Sequence, residues 1–313
     1  MKIIASIYIY NFHIFISYLD DGINIIPFKD NRSLFFNSKA KYLDEIPNIN
    51  SLTELQAKSH ILFGTSESEL VGYDLISENI DNYFNNDRKI VIDDVTQLSI
   101  YYQQNTLYAF AEEKGIFQFD ISKPRFPQMC NKFVPRVFEK IGQPVVSNIE
   151  SGENSLLIAI RNFGVSNITL EKGNYSHEIE LRSEDPQDVK RFFNHKLLAV
   201  ADSQEGLLLY DFSSNNLIKK IKLPNGDFPQ QLEIINTTII IKGTLGLYAY
   251  HPSHDKFMVL RDGKIGAMAV YYDYIFFTSK GKIFTLSLTD SFVRHGFTFD
   301  SQKFELELLK LNS

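Results

Sequence analysis

The sequence predicts an all-β protein: one domain over residues 1–313, built as a seven-bladed β-propeller with four antiparallel strands in each blade. Three observations carry this. One segment pattern returns seven times at a mean spacing of about 43 residues, within the range of repeats that build one four-stranded blade per unit. Each copy is an alternating apolar run, and six of the seven open on Gly (Gly22, Gly115, Gly164, Gly206, Gly246 and Gly281), the second copy having Glu69 there. The composition, with 26 Phe, 16 Tyr and no Trp, favours pleated, half-buried surfaces.

The blades run over residues 1–45, 46–91, 92–141, 142–184, 185–225, 226–263 and 264–313. The first opens on "MKIIASIYIYNFHIF", which reads as a strand of the repeat and not as a secretion signal. Asn11 and His13 interrupt the apolar run, and no small-residue cleavage pattern follows. Ahead of each Gly-led run lies another apolar one: "HIFISYL", "HILFGTS", "TLYAFAE", "LLIAIRN", "KLLAVAD", "TIIIKGT" and "YIFFTSK". Such runs, rich in β-branched and aromatic residues and bounded by Gly, Asn, Asp and Pro, read as strands. A weaker run precedes them, such as "VTQLSIYY", and a fourth follows, such as "NLIKKIKLP". The Gly between the second and third strands is expected to supply a positive φ, which residues with a Cβ resist. In the last blade "FVRHGFTF" at 292–299 and "KFELELLKL" at 303–311 compete for the outermost place. No apolar stretch is long enough to span a membrane as a helix, and no amphipathic helix is expected.

In the third blade, "KGIFQFDISKPRFPQ" combines a Gly, an alternating run ending in Asp, a small polar residue and two spaced prolines. With Gly115, Asp120, Ser122, Pro124 and Pro127 in those places, it resembles the LVIVD-type repeat of bacterial and archaeal propellers. The fifth blade keeps "GLLLYDFS" without the prolines, and the second keeps "GYDLIS" without the Gly. The resemblance implies a propeller scaffold, often on cell surfaces, and no shared catalytic residue.

The formal charge of −6 argues against nucleic-acid binding, which wants basic patches that displace counterions. Cys130 is the chain's single cysteine, so a disulfide-stapled fold is excluded and a reducing, cytoplasmic setting is expected. In the outer strand of its blade, Cys130 is expected to be buried and inert. No P-loop, dinucleotide fingerprint, G-x-S-x-G elbow or H-E-x-x-H is present, so no cofactor and no metal are expected. "HPSHD" at 251–255 is the best histidine pair, but zinc wants three or four converging ligands. His13, His60 and His195 are expected in turns on one face. Asp74, Asp120 and Asp211 recur at one place in the repeat, as acceptors for the backbone of the turn that follows.

Two sets of side chains are left as site candidates. Glu54, Glu150, Lys190, Arg191 and Glu233 fall in innermost strands where most copies are apolar. They point to a polar central channel, either simply wet or carrying an acid–base pair such as Glu150 with Arg191. The loops of one face gather acidic residues, among them Asp20, Asp21, Glu67, Glu69, Glu112, Glu113, Asp202 and Glu205. An acidic rim on a rigid ring suits a non-catalytic scaffold that captures a basic protein partner, for instance as an immunity or inhibitor protein. The alternatives are a hydrolase or lyase with its site at the channel mouth and, last, a carbohydrate-binding propeller.

Overall fold

A computed structural model of the chain shows a nearly all-β protein made of repeated antiparallel sheets. It describes residues 4–10, 13–18, 23–29, 35–36, 41–43, 55–59, 61–66, 69–74, 80–81 and 95–287, the last range without 113, 172–173, 193–195, 236–237, 272–273 and 281. The competing segments at 292–299 and 303–311 lie outside the described residues.

Sheet one has β1 (Ile4–Tyr10), β2 (His13–Tyr18) and β3 (Ile23–Lys29), with β4 (Phe35–Phe36) and β5 (Lys41–Leu43) both paired to β3. Sheet two orders β6 (Leu55–Lys58), β7 (Ile61–Ser66), β8 (Glu69–Asp74) and β9 (Ile80–Asp81). Sheet three orders β10 (Val95–Tyr101), β11 (Thr106–Ala111), β12 (Gly115–Asp120) and β13 (Gln128–Phe133). Sheet four orders β14 (Val146–Gly152), β15 (Ser155–Ile160), β16 (Gly164–Glu171) and β17 (Asn174–Leu181). Sheet five orders β18 (Pro186–Phe192), β19 (Leu197–Asp202), β20 (Gly206–Asp211) and β21 (Leu217–Ile221). Sheet six orders β22 (Pro229–Ile235), β23 (Thr238–Gly243), β24 (Gly246–His251) and β25 (Lys256–Asp262). Sheet seven has β26 (Met268–Tyr271), β27 (Tyr274–Ser279) and β28 (Lys282–Ser287).

The arrangement is propeller-like. The first strands touch in series, β1 to β6, β10, β14, β18, β22 and β26, and β26 touches β1. Apolar clusters fill the spaces between neighbouring sheets. One of them, with Ile7, Ile14, Ile16, Ala267 and Phe276, joins sheet one to sheet seven, so the end of the described chain packs on its beginning. Middle strands such as β11, second in its sheet, and β24, third in its sheet, are buried along their whole length. Sandwiched between two sheets, they need apolar residues on both faces, hence continuous runs and not alternation. Outer strands are wet: β13 is exposed or half-exposed at every residue. Cys130 therefore lies exposed, contrary to the expectation of a buried thiol, because the outermost strand has no neighbour beyond it. Its Sγ donates to the Gln128 carbonyl at 3.4 Å.

The short helix α1 (Arg136–Ile141) links sheets three and four where no helix was expected. Pro135 precedes it and Gly142, at φ +83°, ends it, the usual Pro-then-Gly bracket. Val137 and Phe138 bury beneath it, Phe138 edge-on to Phe110 at 5.3 Å.

The glycines that open the third strands act as expected at three places. Gly115, Gly164 and Gly206 have φ of +90°, +140° and +99°. A Cβ there would lie 2.6, 2.6 and 2.4 Å from the carbonyl oxygens of Phe133, Leu181 and Ile221 in the neighbouring outer strands. Gly246 differs: its φ is not left-handed, and a Cβ would meet the Tyr248 hydroxyl at 2.6 Å. Gly206→Ala is expected to cost about 2–3 kcal/mol, from strain at positive φ plus displacement of β21. Chemical denaturation of the variant beside wild type measures it.

Candidate functional site: a polar channel

The first strands of all the sheets line a central cavity of about 610 Å³. In β1, β10, β14, β18 and β22 the register to the second strand shifts after the first residue, between Ile4/Ser6, Val95/Gln97, Val146/Asn148, Pro186/Asp188 and Pro229/Gln231. A bulge of this kind re-aims the side chains that follow it. After the shift, equivalent positions carry Gln97, Asn148, Asp188 and Gln231, and two residues on Ser99, Glu150, Lys190 and Glu233. All of them line the cavity.

Much of this polar wall stitches one sheet to the next. Ser151 N–H donates to Ser99 Oγ at 2.9 Å, joining sheets three and four. Ser147 Oγ donates to the Pro186 carbonyl at 2.7 Å, and Arg191 N–H to Glu150 Oε2 at 2.7 Å, joining four and five. Asp188 is 4% exposed and accepts from Val189 N–H at 2.8 Å and Leu232 N–H at 2.7 Å, tying five to six. Gln231 Nε2 donates to the Met268 carbonyl at 3.0 Å, tying six to seven.

The structure brings Glu150 and Arg191 together, but the guanidinium does not face the channel freely. Its side chain is 1% exposed against 21% for Glu150, and Nη1 lies 3.7 Å from Oε2. Nη1 also donates to the Glu150 carbonyl at 2.9 Å and Nη2 to Ser155 Oγ at 3.1 Å, while Nε has no partner. Gly152 makes the room: a Cβ there would stand 2.9 Å from the guanidinium carbon. Burial pushes the Glu150 carboxyl above its ordinary range, against the pull of Arg191 and Lys190. Burial likewise lowers the Arg191 guanidinium, which Glu150 only partly offsets. Asp188 is pushed up to about 7, again chiefly by burial, with Lys190 and the Leu232 N–H opposing. Lys242, from β23, is lowered by burial with Asp188 opposing. Glu54 lies outside the described residues.

Asp188, Asn148 and Lys242 were not among the channel candidates. Lys242 did leave a signal, as the one charge within the apolar "TIIIKGT".

The described rim carboxylates differ in exposure. Asp20, Asp21, Glu67 and Glu113 lie outside the described residues, and Glu69 opens β8. Glu112 is exposed, and Glu205 pairs with Lys220. Asp202, expected on the rim, is fully buried. Its Oδ2 accepts from Ser183 Oγ, Glu184 N–H and Asp185 N–H, and its Oδ1 from the Gln204 and Glu205 N–H groups. Asp227, 3% exposed, repeats the device in sheet six, accepting from Phe228, Thr244 and Leu245 N–H and from the Tyr248 hydroxyl. These carboxylates are internal acceptors for turn amides that would otherwise be buried unpaired.

The smaller features are structural as well. Asp120 accepts from Ser122 N–H at 2.7 Å, and Asp211 from Ser213 and Ser214 N–H at 3.1 and 2.7 Å, as turn chemistry requires. His13 opens β2 and does not sit in a turn; His60 and His195 lie outside the described residues. The His251 and His254 rings lie with centroids 4.5 Å apart, tilted by 42°. Among the described residues no group of three or more His, Cys, Asp and Glu could hold a metal, and no helix is long and apolar enough to cross a membrane.

No protein-family model and no curated protein matches the chain. Among solved structures it is similar to the crystal structure of the computationally designed Ika8 protein, over 92% of this chain and 84% of that one. The TM-score is 0.67 and the identity 12%. A likeness at that identity speaks for the fold alone.

Proposed function

We propose that the chain is a seven-bladed β-propeller with an LVIVD-type third blade, and that it works in the cytoplasm as a non-catalytic binding scaffold. The bound species enters the central channel. One observation carries this reading: a cavity of about 610 Å³ to which the first strand of every sheet contributes, of the size typical of small-molecule sites. Of the described loop carboxylates, Asp185, Asp188, Asp202 and Asp227 are buried, while Glu112 and Glu184 stay exposed. Binding is favoured over catalysis because the carboxyls with shifted protonation are occupied. Asp188 spends both oxygens on backbone N–H groups and Glu150 spends one on Arg191, which leaves neither poised as a free base.

A plug tests the reading. Gln97 lines the cavity half-buried, so Gln97→Trp should fill the channel while the fold persists. Ligand-observed NMR on a library of small polar metabolites should give binders for wild type and none of those for the variant. Binders that survive the plug would return the site to the loop face, and turnover of a bound compound would make the protein an enzyme.

A further inference from the structure

Resting on the channel as the binding site, we infer that its ligand is a small zwitterion of the α-amino-acid kind, its ammonium held by Glu233 and its carboxylate by Lys242. Once the side chains that bond within or between the sheets are set aside, and with them Lys190, which has a partner of its own, the cavity keeps a short remainder: Gln56, Gln97, Asn148, Gln230, Glu233 and Lys242. The side chains of these six make no hydrogen bond or ion pair to another described residue. Asn148 Oδ1 is buried in the wall and has no partner at all.

Glu233 and Lys242 belong together. Across β22 and β23, Glu233 faces Ile240 and Lys242 faces Gln231, so the two are diagonal neighbours on one face of sheet six. Such neighbours hold their Cβ atoms about 7–8 Å apart. Their charged ends do not meet in an ion pair. Lys242 lies in the field of Asp188, and the field of Glu233 reaches Asp188 and Glu150. The Glu233 carboxylate and the Lys242 ammonium thus face the same cavity without an ion pair to one another, on Cβ atoms spaced so that the adjacent charges of an α-amino acid could bridge them with a hydrogen bond at each end.

Ligands of a single charge fit worse. A plain amine would bring its cation against Lys242, and a plain carboxylate would meet Glu233. A neutral sugar would desolvate both charges without pairing either, which is costly. The amides of Gln56 and Gln97 and the orphaned Asn148 carbonyl suit a polar side chain and the remaining ammonium protons.

The test is calorimetric titration of the full chain with a matched set: L-glutamine, its decarboxylated analogue 4-aminobutanamide, its deaminated analogue glutaramate, and glucose. L-Glutamine should bind roughly tenfold or more tighter than either single-charge analogue, the usual worth of a hydrogen bond to a charged group. Glu233→Gln should cut L-glutamine affinity and leave glutaramate unharmed, while Lys242→Met should cut it and leave 4-aminobutanamide unharmed. The wild-type ranking decides the matter even where a variant does not fold. A ranking in which glutamine is no better than its analogues overturns the zwitterion. If another probe then binds and Gln97→Trp blocks it, the channel stands and only the ligand class falls. If probes bind regardless of the plug, both fall.

Discussion

Asp202→Ala will lose about 3–5 kcal/mol of folding stability, a large part of what a globular domain has, and its thermal midpoint will fall by roughly 10 °C. The carboxylate is fully buried and accepts five hydrogen bonds at 2.5–3.0 Å from two segments, the link before β18 and the turn after β19. Hydrogen bonds to a charged acceptor are worth about 1.5–3 kcal/mol each, and truncation leaves buried donors that cannot all find water. Asp202→Asn keeps one acceptor oxygen and should cost about half as much. The exposed Glu112→Ala should stay within about 0.5 kcal/mol. Acid gives a second handle. Burial alone would raise this carboxyl, but the bonds from Ser183 and the turn amides outweigh it and hold the group below its ordinary value. Its stabilising share is therefore complete above the unfolded value near 4 and drains away as pH falls through the lowered native one. Urea unfolding at pH 7 and pH 3 should show a steeper acid loss for wild type than for Asp202→Asn. An Asp202→Ala protein of undiminished stability would mean that the carboxylate is not the internal tie described.

What could be read from the sequence follows a physical line. Strands announced themselves because a segment pressed between two sheets must be apolar on both faces, as "LLIAIRN" is, and because Gly115, Gly164 and Gly206 mark where a third strand starts against its outer neighbour's carbonyl. Glu150 and Arg191 stood out as charges in strands otherwise apolar, and the structure brings them into contact. Loop carboxylates defeated the same logic. An Asp in a turn can point to water or accept the turn's own amides, and nothing in "VADSQEG" tells that Asp202 does the second. Asp188 and Lys242 were hard for another reason. A side chain's access to the channel depends on the bulge that re-aims β18 and on the cross-strand register that sets Lys242 beside Gln231. A composition count sees neither. The helix after Pro135 was missed although Pro and Gly bracketed it, because at six residues it shows no amphipathic period.

Arg191→Met is the second large effect, expected to cost about 3–5 kcal/mol while leaving the cavity open. Its guanidinium is buried against Glu150, donates to the Glu150 carbonyl and to Ser155, and has been given room by Gly152. Taking away one partner strands the other, and that is the costly operation on a buried pair. Burial acts on both, raising Glu150 and lowering Arg191, and for a buried pair the desolvation cost can exceed the Coulombic gain. Neutralising both should therefore be milder than removing Arg191 alone. In a double-mutant cycle, Glu150→Gln keeps an acceptor for the Arg191 amide yet carries no charge, and Arg191→Met should cost about 2 kcal/mol less in that background. The sign of the pH dependence differs from that of Asp202. With its native value raised, the Glu150 carboxyl takes up protons more readily folded than unfolded, so its contribution is most favourable in acid and is lost as pH rises through the native value. Removing Arg191 raises that value further and should move the loss to higher pH. Equal costs in the two backgrounds would show that Arg191 is held by packing of its stem and not by the carboxylate.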